Sequence, residues 1–124
     1  MLASINVRNL TLEAEMAVTI EQHSAHATLV NVFTVDPARA EALAELLSAA
    51  TDTVMRHQTG FRSASIHLSS DRTRVVNYAQ WDTPDAYRRM LADPVAREHM
   101  GRAADMAISF DPNLYTVESV HEKA

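Results

Sequence analysis

An asparagine and the chain's single tryptophan stand four residues apart in Val75-Val76-Asn77-Tyr78-Ala79-Gln80-Trp81, a stretch with the composition of a β-strand. Strand side chains alternate between faces, so Val75, Asn77, Ala79 and Trp81 point one way and Val76, Tyr78 and Gln80 the other. Asparagine is depleted inside strands because its amide competes for backbone hydrogen bonds, so Asn77 requires a partner that the ladder does not supply. That partner is either a ligand held on the face shared with Trp81, or water at a strand edge with Trp81 closing the core.

Other side chains with chemical potential are the histidines. His99 belongs to a segment of helical periodicity, on the stripe of Val95, Ala103 and Met106, and is either a surface or core-edge residue or a general base. His67 alternates with Ser63 and Ser65 and faces solvent, an interface or a cavity. His23, His26, His57 and His121 fall in terminal segments or near a helix end and carry no site.

The elements that must position these residues are legible from punctuation and period. Thr28 to Val35 is an apolar, β-branched first strand ending at Asp36-Pro37, a cap and first-turn pair that opens a helix. Ala40, Leu43, Leu47, Ala50 and Val54 form its buried stripe, and Gly60 marks its end. Phe61 to Leu68 alternates as a half-buried strand, with Ala64, Ile66 and Leu68 inward. Ser69 to Thr73 turns the chain into the strand at 75–81. Thr83-Pro84 and Asp93-Pro94 start two further helices, and Leu114 to Val120 is expected as a fourth core strand. The order β-α-β-β-α-β is the α+β, ferredoxin-like split β-α-β arrangement, with helices on one face of an antiparallel sheet and the other face bare. A bare, partly apolar sheet face calls for a partner.

Residues 1–26 form an N-terminal extension to the domain at 27–124. Ser4 to Val7 and Ala17 to Ile20 alternate like strands, and Leu10 to Met16 could turn helical.

Composition narrows the function classes. Hydrophobic content of 47% with 22% charged residues excludes a disordered chain, and a net charge of -5 with pI near 5.6 disfavours nucleic acid as a partner. The sequence has no cysteine, which removes disulfides, thiol nucleophiles and thiolate-bound metal. No apolar run approaches membrane-spanning length and the N-terminus lacks a secretory pattern, so a cytoplasmic protein without membrane contact is expected. A glycine-rich dinucleotide loop is also missing.

Leu29-Val30-Asn31, Thr59-Gly60-Phe61, Val76 to Trp81 and Ala86-Tyr87-Arg88, in this element order, resemble the antibiotic biosynthesis monooxygenase family, and within it the small anthrone oxygenases of aromatic polyketide pathways. The likeness covers about residues 28–120. It implies a dimeric α/β-barrel, hence a homodimer, and a cofactor-independent monooxygenase that uses dioxygen to oxidise an anthrone-type aromatic polyketide to a quinone, with no cofactor and no metal. It also implies that Asn77 and Trp81 are the central catalytic pair, joined by Asn31 and, as candidate base, His99. Amide and indole N–H groups suit an enolate and its peroxide because they stabilise oxygen charge without titrating. Tyr87, Met90, Phe33 and His67 are the candidate substrate-binding residues. Some relatives have an arginine in the last helix where this chain has Met100. The same resemblance leaves two alternatives open: a ligand-binding or polyketide-cyclising protein of this fold, and a haem-degrading enzyme, in which Asn31 and His99 are retained, His99 would bind the iron, and Met90 replaces an expected tryptophan.

Overall fold

A computed structural model describes residues 17–124. Strand β1 (Ala27–Thr34) is followed by helix α1 (Pro37–Thr53), a short 3-10 turn at Met55–His57, strands β2 (Phe61–Leu68) and β3 (Arg74–Trp81), helices α2 (Pro84–Ala92) and α3 (Pro94–Met106), and strand β4 (Ser109–Tyr115). The sheet order is β2-β3-β1-β4, antiparallel throughout, and the architecture is the α+β ferredoxin-like one that the sequence implies. The expected strand at Ser4 to Val7 and helix at Leu10 to Met16 lie outside the described residues.

Each helix starts on a capping residue followed by proline. Asp36 Oδ1 accepts the Ala38 N–H at 2.9 Å, Thr83 Oγ1 the Ala86 N–H at 3.1 Å, and Asp93 Oδ2 the Ala96 N–H at 2.9 Å. One otherwise orphaned donor is satisfied in each case, and proline occupies a position whose own N–H would have no partner.

Where β2 joins the sheet, Gly60 sits at φ +86 and a Cβ there would come within 2.5 Å of the Ala86 Cβ, so only glycine lets α2 close on this corner. A register shift follows between Phe61 and Ser63. Residues 61 and 64 would face opposite ways in a regular strand, and the bulge brings Phe61 and Ala64 to the same face.

Three expectations are corrected. The fourth strand is Ser109–Tyr115 rather than Leu114 to Val120, and every one of its residues is exposed, so it is an edge rather than a core strand. Pro112, which lacks an N–H for a ladder, is compatible with that position. On α3 the buried residues are Ala96 and Ala103 while Val95 is 53% exposed, so the inward stripe is rotated from the Val95, His99, Ala103, Met106 line. Residues 17–20 form no strand. They run across the face opposite the helices, where the Gln80 amide donates to the Thr19 carbonyl at 2.9 Å. Thr28 and Gln80 are buried there, and only the remainder of that face, including Val30, Val32, Val76 and Tyr78, is half open.

The apolar interior is in two parts. Ala27, Leu29, Ala79, Trp81, Met90 and Ala96 belong to one cluster; Phe33, Val35, Leu43, Val75 and Ala103 belong to the other. Along β1 and β3 the division falls at Asn31 and Asn77, which are direct cross-strand partners.

Candidate active site

At that division the sheet and helices leave a cavity of about 340 Å3, within the range of small-molecule sites. Its floor is the helix-facing side of β1 and β3, where strand alternation puts Leu29, Asn31 and Phe33 beside Asn77, Ala79 and Trp81. Helix α1 contributes Leu47, Ala50 and Thr51; α2 contributes Tyr87 and Met90; α3 contributes Met100, Gly101, Ala103 and Ala104. Phe110 and Pro112 complete the wall from β4.

Polar groups in this cavity are few and uncommitted. Among the described residues, the side-chain oxygens of Asn31 and Asn77 and the indole Nε1 of Trp81 are buried without a hydrogen-bond partner. A buried polar atom left unpaired costs about 1–3 kcal/mol, so three on one wall form an arrangement that a ligand would relieve. Trp81 is 2% exposed and is held by an edge-on contact with Phe61, ring centroids 5.4 Å apart at 88°, and by Tyr87 at 6.2 Å and 62°. Its ring is therefore fixed and its N–H preorganised. Thr51 does not add a free donor, because its hydroxyl donates to the Leu47 carbonyl at 2.8 Å.

Tyr87 is the only titratable residue lining the cavity among the described residues, and burial pushes its phenol above its ordinary range. It is therefore neutral and able to donate at physiological pH. Among the described residues no group of three His, Cys, Asp or Glu side chains is placed to hold a metal ion.

The structure thus brings Asn31, Asn77, Trp81, Tyr87, Met90 and Phe33 together around one cavity and leaves His67 and His99 off it. His67 is exposed on the opposite face of β2, its Nε2 3.1 Å from Ser65 Oγ, because its parity matches Ser65 and not Ile66. His99 is half-buried with Nδ1 unpartnered, but its helix turns Met100, Gly101 and Ala104 to the cavity and His99 to the other flank. Phe61, Met55, Gly101 and Phe110 were not identified from sequence. Only Phe61 had a usable local signal, the glycine before it.

Comparison with known proteins matches residues 27–102 to a family described as antibiotic biosynthesis monooxygenase. Tetracenomycin-F1 monooxygenase of Streptomyces glaucescens is 47% identical over 72 residues, which are 58% of this chain and 64% of the relative. Less than two thirds of that curated relative is therefore spanned. Among solved structures, a monooxygenase from the gene ActVA-Orf6 of Streptomyces coelicolor, in complex with nanaomycin D, superposes with TM-score 0.73 at 31% identity, covering 81% of this chain and 94% of that one. SnoaB, a cofactor-independent oxygenase from Streptomyces nogalater, superposes with TM-score 0.67 at 27% identity over 81% of this chain and 100% of its own.

Proposed function

The chain belongs to the antibiotic biosynthesis monooxygenase family, and from that premise we propose that it is a cofactor-independent monooxygenase of aromatic polyketide biosynthesis, oxidising an anthrone-type substrate to a quinone with dioxygen. The observation that carries this reading is the set of unpartnered atoms of Asn31, Asn77 and Trp81 in a mainly apolar cavity whose other polar lining residues are Thr51 and Tyr87. Two amide oxygens seek hydroxyl donors and one indole N–H seeks an oxygen acceptor. A flat, apolar ring system bearing phenols beside a carbonyl satisfies all three, and the named activities of the relatives point to the same ligand class.

The chemistry asks little of the protein. The activated methylene loses a proton to solvent, the electron-rich enolate transfers electrons to dioxygen and forms a C–O bond, and the peroxide takes a proton back from solvent. The resulting peroxide breaks its O–O bond with loss of water. One CH2 and one O2 become one C=O and one H2O. Trp81 N–H, with the Asn77 amide able to turn its NH2 inward, stabilises the oxygen charge that develops on enolate and peroxide. The Tyr87 hydroxyl holds a substrate phenol, and Phe33 and Met90 pack against the rings. A haem-degrading role would require an iron-binding histidine in the cavity, and His99 is not among the residues that line it.

We further propose that the active form is a homodimer joined through the half-open sheet face, where Val30, Val32, Val76 and Tyr78 are only half-buried among the described residues. The deciding experiment is oxygen uptake by chelator-treated protein with a simple anthrone and no added flavin or haem. One dioxygen consumed per anthrone is expected. Binding without uptake would favour the ligand-binding alternative, and uptake only after adding flavin with reductant would refute cofactor independence.

A further inference from the structure

We infer that Gly101 determines the size of ring system the cavity accepts, an inference that rests on the reading of the cavity as the substrate site. Glycine is the least favoured helix-interior residue apart from proline, because it loses the most backbone freedom and exposes the peptide to water. Gly101 lies well inside α3, so a reason for its presence is required.

The two usual reasons are missing. Among the glycines only Gly60 has a positive φ, so Gly101 is not demanded by backbone conformation. A Cβ built on Gly101 meets nothing within 4 Å among the described residues, so it is not demanded by their packing either; at Gly60 the same construction clashes with Ala86. What distinguishes Gly101 is its position. It lines the cavity and is exposed, and the same two properties hold for Phe110 and Pro112 on β4. Lining residues that are also exposed mark the mouth, so the mouth runs between α3 and β4.

The space a side chain at 101 would fill is therefore cavity or entrance space. The cavity is built for a ligand, since Trp81 is almost wholly buried with its N–H unpartnered on the same wall. A ligand anchored on Asn77 and Trp81 by one ring extends its further rings toward Gly101 and the ring of Phe110. Phe110 is itself seated on Phe33 with centroids 6.2 Å apart. The chemical class this selects is an extended polycyclic phenol or quinone of three or four fused rings. A side chain at 101 would exclude the last ring and leave the anchored end untouched.

The test uses Gly101→Ala and Gly101→Leu in the full chain, with dihydroxynaphthalene, dihydroxyanthraquinone and a hydroxylated naphthacenequinone as ligands of two, three and four rings. Trp81 is the only tryptophan, so its fluorescence, corrected for ligand absorbance, reads occupancy of the cavity without turnover. Gly101→Ala should unfold about 3 °C higher than the parent, as removal of a helix-interior glycine implies. Gly101→Leu should bind the two-ring ligand within about twofold of the parent and the four-ring ligand about tenfold or more weakly, the scale of a pocket too short by a methylene or two. Equal affinities across the series, an equal loss at all three sizes, or a less stable Gly101→Ala would overturn the inference. If the parent fails to consume oxygen, the proposed reaction fails while the size-dependent binding still stands or falls separately.

Discussion

Replacing Asn77 by leucine should move stability and turnover in opposite directions. The Asn77 side-chain oxygen is buried and unpartnered, and its cross-strand neighbour Asn31 has the same deficit. An unpaired buried polar atom costs about 1–3 kcal/mol; because the rest of the Asn77 side chain is only half-buried, the lower end, about 1 kcal/mol, applies. Leucine has the same four-heavy-atom side chain branched at Cγ and continues the apolar wall of Ala79 and Met90, so the ligand-free protein should unfold about 4 °C higher. The same substitution removes the amide that would stabilise oxygen charge, and turnover should fall by about 10- to 1,000-fold, or roughly 1.4–4 kcal/mol of barrier. The assays are calorimetry on ligand-free protein and oxygen uptake at saturating anthrone. A lowered unfolding temperature with unchanged turnover would refute the reasoning, because it would mean that the amide already has a structural partner and no catalytic one. The Asn31→Leu, Asn77→Leu double variant should show non-additive stability, since the two amides face each other.

Trp81→Phe keeps the edge-on contact with Phe61 but removes the N–H, and should lower turnover by at least tenfold while the protein stays folded; an unchanged rate would leave Trp81 a packing residue. Gly60→Ala should destabilise by about 2 kcal/mol or more, combining left-handed strain with the clash at Ala86, and should raise KM because α2 carries Tyr87; an unaltered melting temperature would refute that packing account. Asp71 accepts hydrogen bonds from the Thr73 hydroxyl, the Thr73 N–H and the Ser69 hydroxyl, which lower its pKa from 3.8 to about 2. Since the folded value is the depressed one, its stabilisation is present above the unfolded value and lost as pH falls through the folded one. The stability difference from Asp71→Asn should therefore shrink between about pH 4 and pH 2, which acid titrations of unfolding would show or deny. His99→Gln should retain both the rate and its pH profile, because the ring lies off the cavity, and the profile should instead follow ionisation of the substrate; loss of the pH dependence on substitution would return His99 to the chemistry.

Local signals carried most of the fold. Three cap-proline pairs set the helix starts, and alternation set β2 and β3, because caps and strand parity are decided by neighbouring residues. What sequence did not disclose depends on partners distant in the chain. The rotation of α3 is fixed by Ala96 and Ala103, 0% and 1% exposed, whose small side chains give a weak periodic signal beside the more hydrophobic but exposed Val95. That rotation removes His99 from the cavity. The bulge that brings Phe61 beneath Trp81 is a property of the β2–β3 pairing, and no spacing within residues 61–68 announces it. Strand β4 was misplaced because an exposed edge strand containing proline lacks the apolar alternation of a core strand.

The cavity-lining asparagines that the sequence singles out share a physical character. Asn31 and Asn77 violate the pattern of the strands that hold them, and in the fold they divide an apolar core into two clusters. A pair of apolar residues there would join the clusters into one apolar wall. The asparagines instead leave buried polar atoms at the division, a local destabilisation tolerated within a net stability of only about 5–15 kcal/mol for a domain. Because the polar groups are amides and an indole rather than carboxylates or imidazoles, they carry no proton that changes with pH near neutrality. Under the proposed reaction such groups would hold an enolate without competing for its proton, so that reactivity toward dioxygen would be set by the ionised ring system while the cavity supplied orientation, exclusion of water and stabilisation of the developing oxygen charge.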